Sequence, residues 1–207
     1  VDENRVSEHD TNYVVIHNTP QDFFKNKKII YKRLNSNRLA FAVTGLLSDG
    51  RGLNSIFSLA KKYPNFTFVV AGGLNSDLSK KFIALDNVEY LGVIPQKELF
   101  SKINICDYIF SLYDPSVEIN VNAASNKLYD SMMLAKPVIV NSGIKAARFV
   151  DKNEIGIIVD YQFNESWDNL LTITESKYNQ LSKNARQLYL RDYNFNESVE
   201  KKLNELF

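Results

Sequence analysis

The 207-residue chain has one cysteine, two histidines and almost no net charge. A single cysteine excludes a disulfide framework within the chain. Cys106 lies in "INICDYIFSLY", an apolar run that reads as a buried strand, so it is expected to pack rather than react. His9 and His17 have no second histidine or cysteine near them, so metal-ligand spacing is missing and surface or linker roles are the default. Lys+Arg 25 against Asp+Glu 24 leaves a formal charge of +1, and no global field recruits nucleic acid or an anionic membrane. Any anion it binds must be held locally. No apolar run is long enough to span a bilayer, and the polar start "VDENRVSEHD" lacks the regions of a signal peptide. A cytoplasmic protein is expected. The start at Val1 rather than Met suggests a piece of something longer. Repeats and low-complexity segments are also missing, and Asn-x-Ser/Thr triplets at Asn65, Asn164 and Asn196 carry no weight in so Asn-rich a chain.

What is present is enough apolar material, 44% hydrophobic with 12% aromatic, for a full core. Short β-rich runs alternate with amphipathic stretches: "RLAFAVT" then "GLNSIFSLAKKY", "FTFVVAGG" then "SDLSKKFIAL", "VEYLGVI" then "QKELFSKI", "CDYIFSLY" then "SNKLYDSMMLA". "PVIVNSG", "KAARFVDK" and "GIIVD" continue the series. Strands alternating with helices of about ten residues pair in parallel through right-handed crossovers. The expected fold is α/β, a doubly wound parallel sheet of Rossmann-like type. "FTFVVAG" and "PVIV" are nearly continuous in apolar residues and read as central strands. After "GIIVD" the pattern becomes helical only, in "SWDNLLTI", "SKYNQLSKNARQLYLRDY" and "NESVEKKLNELF". Residues 1–37 read as a linker with one short apolar segment, "YVVIHN", and a Lys-rich part from Lys25 to Lys32 that reads as a solvated connection. Residues 38–207 read as the folded domain.

In such sheets ligands bind at the carboxyl ends of the strands, so the strand-to-helix turns are where polar residues mean most. The first, "TGLLSDGRGL", has glycines for close backbone approach and puts Arg51 at the opening of a helix, where an anion is favoured. Gly45 and Gly50 fit a phosphate loop, but Arg51 and Gly52 replace its Lys and Ser/Thr, so a triphosphatase is disfavoured. The second turn carries Gly72 and Gly73 without completing G-x-G-x-x-G. At the third, Gly92 and Val93 end a strand and Pro95 starts a helix, so the main chain could edge a flat ring. In the fourth, Ser125 is placed to cap a helix that presents Lys127 and, three residues on, Asp130. A surface ion pair worth little is the plain reading of that spacing. The functional reading gives Lys127 a phosphate and Asp130 a ribose diol.

Taken in order from "YVVIHNTPQDFF" to the last helix, these segments resemble the C-terminal nucleotide-sugar-binding domain of GT-B glycosyltransferases, in the retaining family four of bacterial surface polysaccharide synthesis. "TGLLSDGRG" resembles that family's "G-R-L-x-x-x-K-G", and "SNKLYDSMMLAKPVIV" its "P-N-K-L-x-E-x-M-x-x-G-K-P-V-I". The resemblance puts Arg51 at the phosphate-binding Lys position and Asp130 at the ribose-binding Glu position. It implies Arg51 and Lys127 as the catalytic cations on the departing diphosphate. Gly45, Gly50, Gly73, Val93, Asn122, Ser125, Leu128 and Asp130 are the implied nucleotide-sugar contacts. Two departures stand out. Leu46 replaces the family's Arg after the first glycine, and Asn122 falls where the first acid of E-x7-E belongs, with Glu118 four residues earlier.

The resemblance implies a donor-binding half that takes a nucleotide diphosphate sugar, a UDP-sugar above others, with no cofactor and no metal. The acceptor would be a polysaccharide or lipid-linked oligosaccharide, as in O-antigen or capsule synthesis, held by an N-terminal domain outside this chain. Peripheral association of the whole protein with the inner face of the cell membrane follows from such an acceptor, and nucleic acid is not an expected partner. The isolated domain is expected to bind donor without turnover. The rival readings are a sugar-nucleotide epimerase of the same architecture and a non-catalytic nucleotide-binding or interaction module.

Overall fold

A computed structural model describes residues 16–22 and 38–197. Strands β1 (Ala40–Thr44), β2 (Thr67–Ala71), β3 (Val88–Tyr90), β4 (Tyr108–Ser111), β5 (Val138–Asn141) and β6 (Gly156–Val159) form one sheet in the order β3-β2-β1-β4-β5-β6. Every pairing is parallel. Between them run α1 (Leu53–Lys62), α2 (Asp77–Ile83), α3 (Gln96–Ile103), α4 (Glu118–Val121), α5 (Asn126–Leu134) and α6 (Lys145–Asn153). A short α7 (Asn169–Thr172) and a long α8 (Glu175–Leu188) follow β6. The doubly wound α/β sheet with a helical C-terminal region is therefore as expected.

The near-continuous apolar strands are explained by two buried faces, because successive side chains point to opposite sides. Phe41, Val43, Phe68, Val70, Tyr108 and Phe110 enter one core cluster with Leu53, Ile56 and Leu59 of α1. Ala42, Val69, Ile109, Val138 and Val140 enter the other, with Met132 and Met133 of α5 and Val150 of α6. Phe41 is the hub of the first cluster, with the rings of Phe66, Phe68, Tyr108 and Phe110 centred 5.3 to 5.7 Å away. Helix α1 buries one stripe and ends on Lys61 and Lys62, cations that suit the carboxyl end of a helix dipole. Helix α2 starts on a capping box in which Ser76 and Ser79 satisfy each other's backbone N–H.

Several boundaries differ from expectation for local reasons. Cys106 is buried but sits in the turn before β4, not in the strand. The segment "SWDNLLTI" is a 3-10 turn, Glu165–Asp168, followed by the single turn of α7, not one helix. Helix α4 was not anticipated, since one turn is too short to show a helical period. The Lys25–Lys32 stretch, most of "YVVIHN" and the end of the last helix lie outside the described residues.

Residues 16–22 adopt no regular structure but are fastened to the helices. Asp22 forms a buried ion pair with Arg186 of α8, and the Arg186 Nη1 also donates to the Met133 carbonyl at 2.7 Å. Tyr189 donates its hydroxyl to the Pro20 carbonyl at 2.8 Å, and the His17 ring packs against Tyr129 and Tyr193. Asp22→Ala would strand the Arg186 guanidinium, 6% exposed, without its counter-charge. A loss of about 3 kcal/mol is expected in denaturant unfolding; an unchanged midpoint would mean that water replaces the carboxylate.

Helix α5 ends on Ala135 with φ 55, the left-handed region that an alanine occupies at a cost. This is the position of the glycine in the resembled "G-K-P" pattern. Ala135→Gly is expected to stabilise the fold by about 1 kcal/mol, read as a higher melting temperature with the same denaturant slope.

Candidate functional site

The strand order reverses between β1 and β4, and the crevice outside their carboxyl ends is where an open α/β sheet takes its ligand. On the β3 side, the three turns after β1, β2 and β3 are laced through their main chain. Gly45 donates to the Ala71 carbonyl at 2.8 Å, Leu47 to Gly73 at 3.0 Å, and Gly72 to Gly92 at 2.8 Å. Gly72, at φ +140, lies so close to the first turn that a Cβ there would fall 1.7 Å from the Gly45 carbonyl oxygen. The result is a ledge of bare backbone flanked by Leu46 and Val93, which are 53% and 81% exposed. Gly73 belongs to this ledge, whereas Gly50 has ordinary φ and open space where a Cβ would go. Its contribution is its carbonyl, which accepts from the Asp114 N–H at 3.1 Å.

Across the crevice stands α5. Ser125 occupies its N-cap position, but the side chain does not cap; the hydroxyl is buried and accepts from the Ser111 hydroxyl at 2.7 Å. The expectation of a capping serine is thereby corrected. Burial beside β4 offers Ser125 a nearer partner than the helix N–H groups, which no side chain caps. The Leu128 side chain is 2% exposed in the second core cluster, and its N–H is bonded to the Ser125 carbonyl.

Lys127 reaches back over the β1 turn. Its Nζ lies 3.2 Å from the place a Cβ on Gly45 would take, so the glycine gives the amine its room. Arg51, on the other side of the same turn, lines a narrow cavity of about 20 Å³ together with Lys127, Thr44, Leu46 and Ser48. A space of that size holds a water, so a larger ligand would lie on the face, not inside it. Among the described residues no carboxylate pairs with Arg51 or Lys127. The arginine instead lies over the Tyr113 ring, 4.2 Å from its centroid.

Asp130 stands one turn beyond Lys127 without an ion pair to it. It keeps some surface open to solvent, yet burial pushes its carboxyl up to about 7 while the Lys127 charge pulls the other way. Asn122 is the half-buried residue after α4, and Glu118 is the exposed first residue of that helix. Larger hollows lie elsewhere. One of about 450 Å³ is lined by Pro64, Asn65 and Asp86 at the amino end of β2, away from these turns. Another, of about 430 Å³, borders Ser142, Lys145 and Arg148 at the α6 opening. No group of three His, Cys, Asp or Glu side chains suited to a metal occurs among the described residues, and no described helix is long and apolar enough to cross a membrane.

The sheet order and the glycine-rich turns at its switch point define a Rossmann-like domain with a ligand crevice at the carboxyl ends of its strands. The chain belongs to the glucosyltransferase 3-like, C-terminal domain family, whose profile matches residues 55–194. The crystal structure of Anabaena Alr3699/HepE in complex with UDP and glucose is similar at a TM-score of 0.63 and 16% identity, over 82% of this chain and 49% of that one. WaaG, a glycosyltransferase involved in lipopolysaccharide biosynthesis, gives 0.57 and 14% over 82% of this chain and 47% of its own. The C-terminal domain of the glycosyl transferase group 1 family protein LpcC from Francisella tularensis gives 0.54 and 19% over 75% and 86%. At these identities the likeness is one of fold. This chain spans about half the length of the first two proteins. A comparison with curated proteins finds no match.

The raised Asp130 carboxyl has a consequence for stability. Its value of about 7 in the fold exceeds the ordinary carboxylate value of about 4 expected when unfolded. Between those pH values the native state keeps a proton that the unfolded chain releases, so stability falls as pH rises through the window. Thermal unfolding from pH 4 to 8 should show that fall in the parent and a flatter profile in Asp130→Asn. With the group's remaining solvent contact, the gain of the variant at pH 8 should be on the order of 1–2 kcal/mol; parallel profiles would refute the assignment.

Proposed function

We propose that this chain is the donor-binding half of a retaining glycosyltransferase that moves a sugar from a nucleotide diphosphate sugar, UDP-linked, to a polysaccharide or lipid-linked oligosaccharide acceptor. The observation that carries the reading is the meeting of Arg51 and Lys127, neither paired with a carboxylate among the described residues, at the glycine ledge of the switch point. In the transfer, the bond between the anomeric carbon and the diphosphate oxygen breaks and negative charge builds on the diphosphate. Two cations and the uncapped opening of α5 are suited to hold that charge. With positive charge from side chains, the reading calls for no metal. Asp130 accepts the ribose hydroxyls, and the backbone beside Val93 edges the base. In this reading the sugar lies toward Asn122 and Glu118.

The family match and the structure of HepE with UDP and glucose support a UDP-sugar donor. The acceptor, the site of action at the cytoplasmic face of a membrane and a role in surface polysaccharide synthesis belong to the whole protein and are part of the proposal. Exposed Leu46 at the family's arginine position favours one second reading, a module that binds nucleotide without catalysis.

Calorimetric titration with UDP, GDP and ADP in the presence of a chelator tests the donor site. UDP is expected to bind, and Arg51→Ala, Lys127→Ala and Asp130→Ala are each expected to weaken it about tenfold or more, the loss of one charge-assisted hydrogen bond. Binding should also strengthen about tenfold from pH 6 to 8 relative to Asp130→Asn, because the carboxylate must ionise at about 7 to accept both hydroxyls. Indifference to all three substitutions would remove the reading. Sugar transfer by these 207 residues alone would contradict the division of labour between two domains.

A further inference from the structure

We propose that Tyr113 is a positioning residue for Arg51, an inference that rests on the donor-binding reading above. Tyr113 follows the end of β4 and is 6% exposed, packed in the second core cluster. Its backbone is held on both sides by one side chain, that of fully buried Asn141 at the end of β5. The Tyr113 N–H donates to Asn141 Oδ1 at 2.9 Å, and Asn141 Nδ2 donates to the Tyr113 carbonyl at 3.0 Å. The next residue, Asp114, donates its N–H to the Gly50 carbonyl at 3.1 Å, which ties the turn that carries Arg51 to the end of β4. Both members of the pair are thus fixed through main-chain bonds.

The guanidinium carbon lies 4.2 Å from the Tyr113 ring centroid. A planar cation stacked on a ring has one face covered while its N–H edge stays available, the edge that pairs with phosphate oxygens two at a time. No side chain of the described residues uses that edge as an ion-pair partner. The ring therefore restricts a long side chain to one orientation before the ligand arrives, and less rotamer freedom is lost on binding. A lysine at this position has no planar face to stack, so the arginine and the tyrosine form one unit.

Two readouts test this. In nitrogen-15 NMR spectra the Arg51 Nε–H should carry a ring-current shift that persists in Tyr113→Phe and disappears in Tyr113→Leu. By calorimetry, UDP should bind three- to tenfold more weakly to Tyr113→Leu and within twofold of the parent to Tyr113→Phe. Added to Arg51→Ala, the leucine substitution should cost nothing further, since the ring acts through the arginine. An unshifted Nε–H in the parent, or a leucine effect that adds in full to that of Arg51→Ala, overturns the positioning role. A shift that behaves as expected alongside UDP binding that ignores Arg51→Ala keeps the stacked pair and overturns the donor reading instead.

Discussion

The crevice depends on the missing side chains of Gly45 and Gly72. At φ +95 Gly45 turns the chain out of β1, and its surroundings are filled from two directions. Gly72 approaches its carbonyl so closely that no Cβ fits there, and Lys127 lies across the room its own Cβ would take. The first contact packs the turns after β1 and β2 into a single ledge. The second lets a cation from the far side of the switch point reach that ledge. A Cβ on Gly72 would collide with the Gly45 carbonyl, and a Cβ on Gly45 would press the Lys127 amine outward from the turn by a few tenths of an ångström.

Charge in the crevice is arranged at some cost to stability. Arg51 rests on a ring where a carboxylate partner would have held it more strongly, and Lys127 has no ion pair among the described residues. Asp130 is held where ionisation is unfavourable near neutral pH. Each departure from the most stable arrangement leaves a polar group with capacity to spare. A dianionic diphosphate would satisfy the two cations, and a diol the carboxylate, so the ligand would repair what the fold leaves incomplete. The Asp22–Arg186 pair is the contrast. It is buried, mutually satisfied and further bonded to a carbonyl, and so has no such capacity.

The sheet was legible in the sequence because a strand buried on both faces and a helix buried on one leave different periods in the chain. Runs such as "TFVVA" and "VIVN" could hardly be anything else. The candidate crevice was legible where its geometry is local, in the glycines of the β1 turn and the Lys127 to Asp130 spacing. It was not legible where a side chain's role is decided across the sheet. Ser125 has the composition and place of a cap, yet Ser111, fourteen residues away, takes its hydroxyl into the interior. Leu128 sits between two polar candidates but belongs to the core by the helical period, a constraint that a motif alone does not express. The Arg51–Tyr113 stack joins residues of different turns, and nothing in the spacing of either announces it.

Helix α5 is held from outside the sheet as well as within it. Asn18 donates to Asn126 at 3.0 Å at the opening of the helix, and Tyr129 meets the His17 ring one turn later. Arg186 bonds the Met133 carbonyl near its end while gripping Asp22. The segment 16–22 and α8 therefore fasten the helix along its length, one from the early part of the chain and one from the late part. Lys127 and Asp130 project from that same helix, and their positions relative to the ledge are set by where its axis lies. A displacement of the fastening segment would shift both groups together relative to Gly45, whose place is fixed by the sheet. The distant ion pair at Asp22 is in this sense part of what holds the crevice to its dimensions, although it contributes no atom to it.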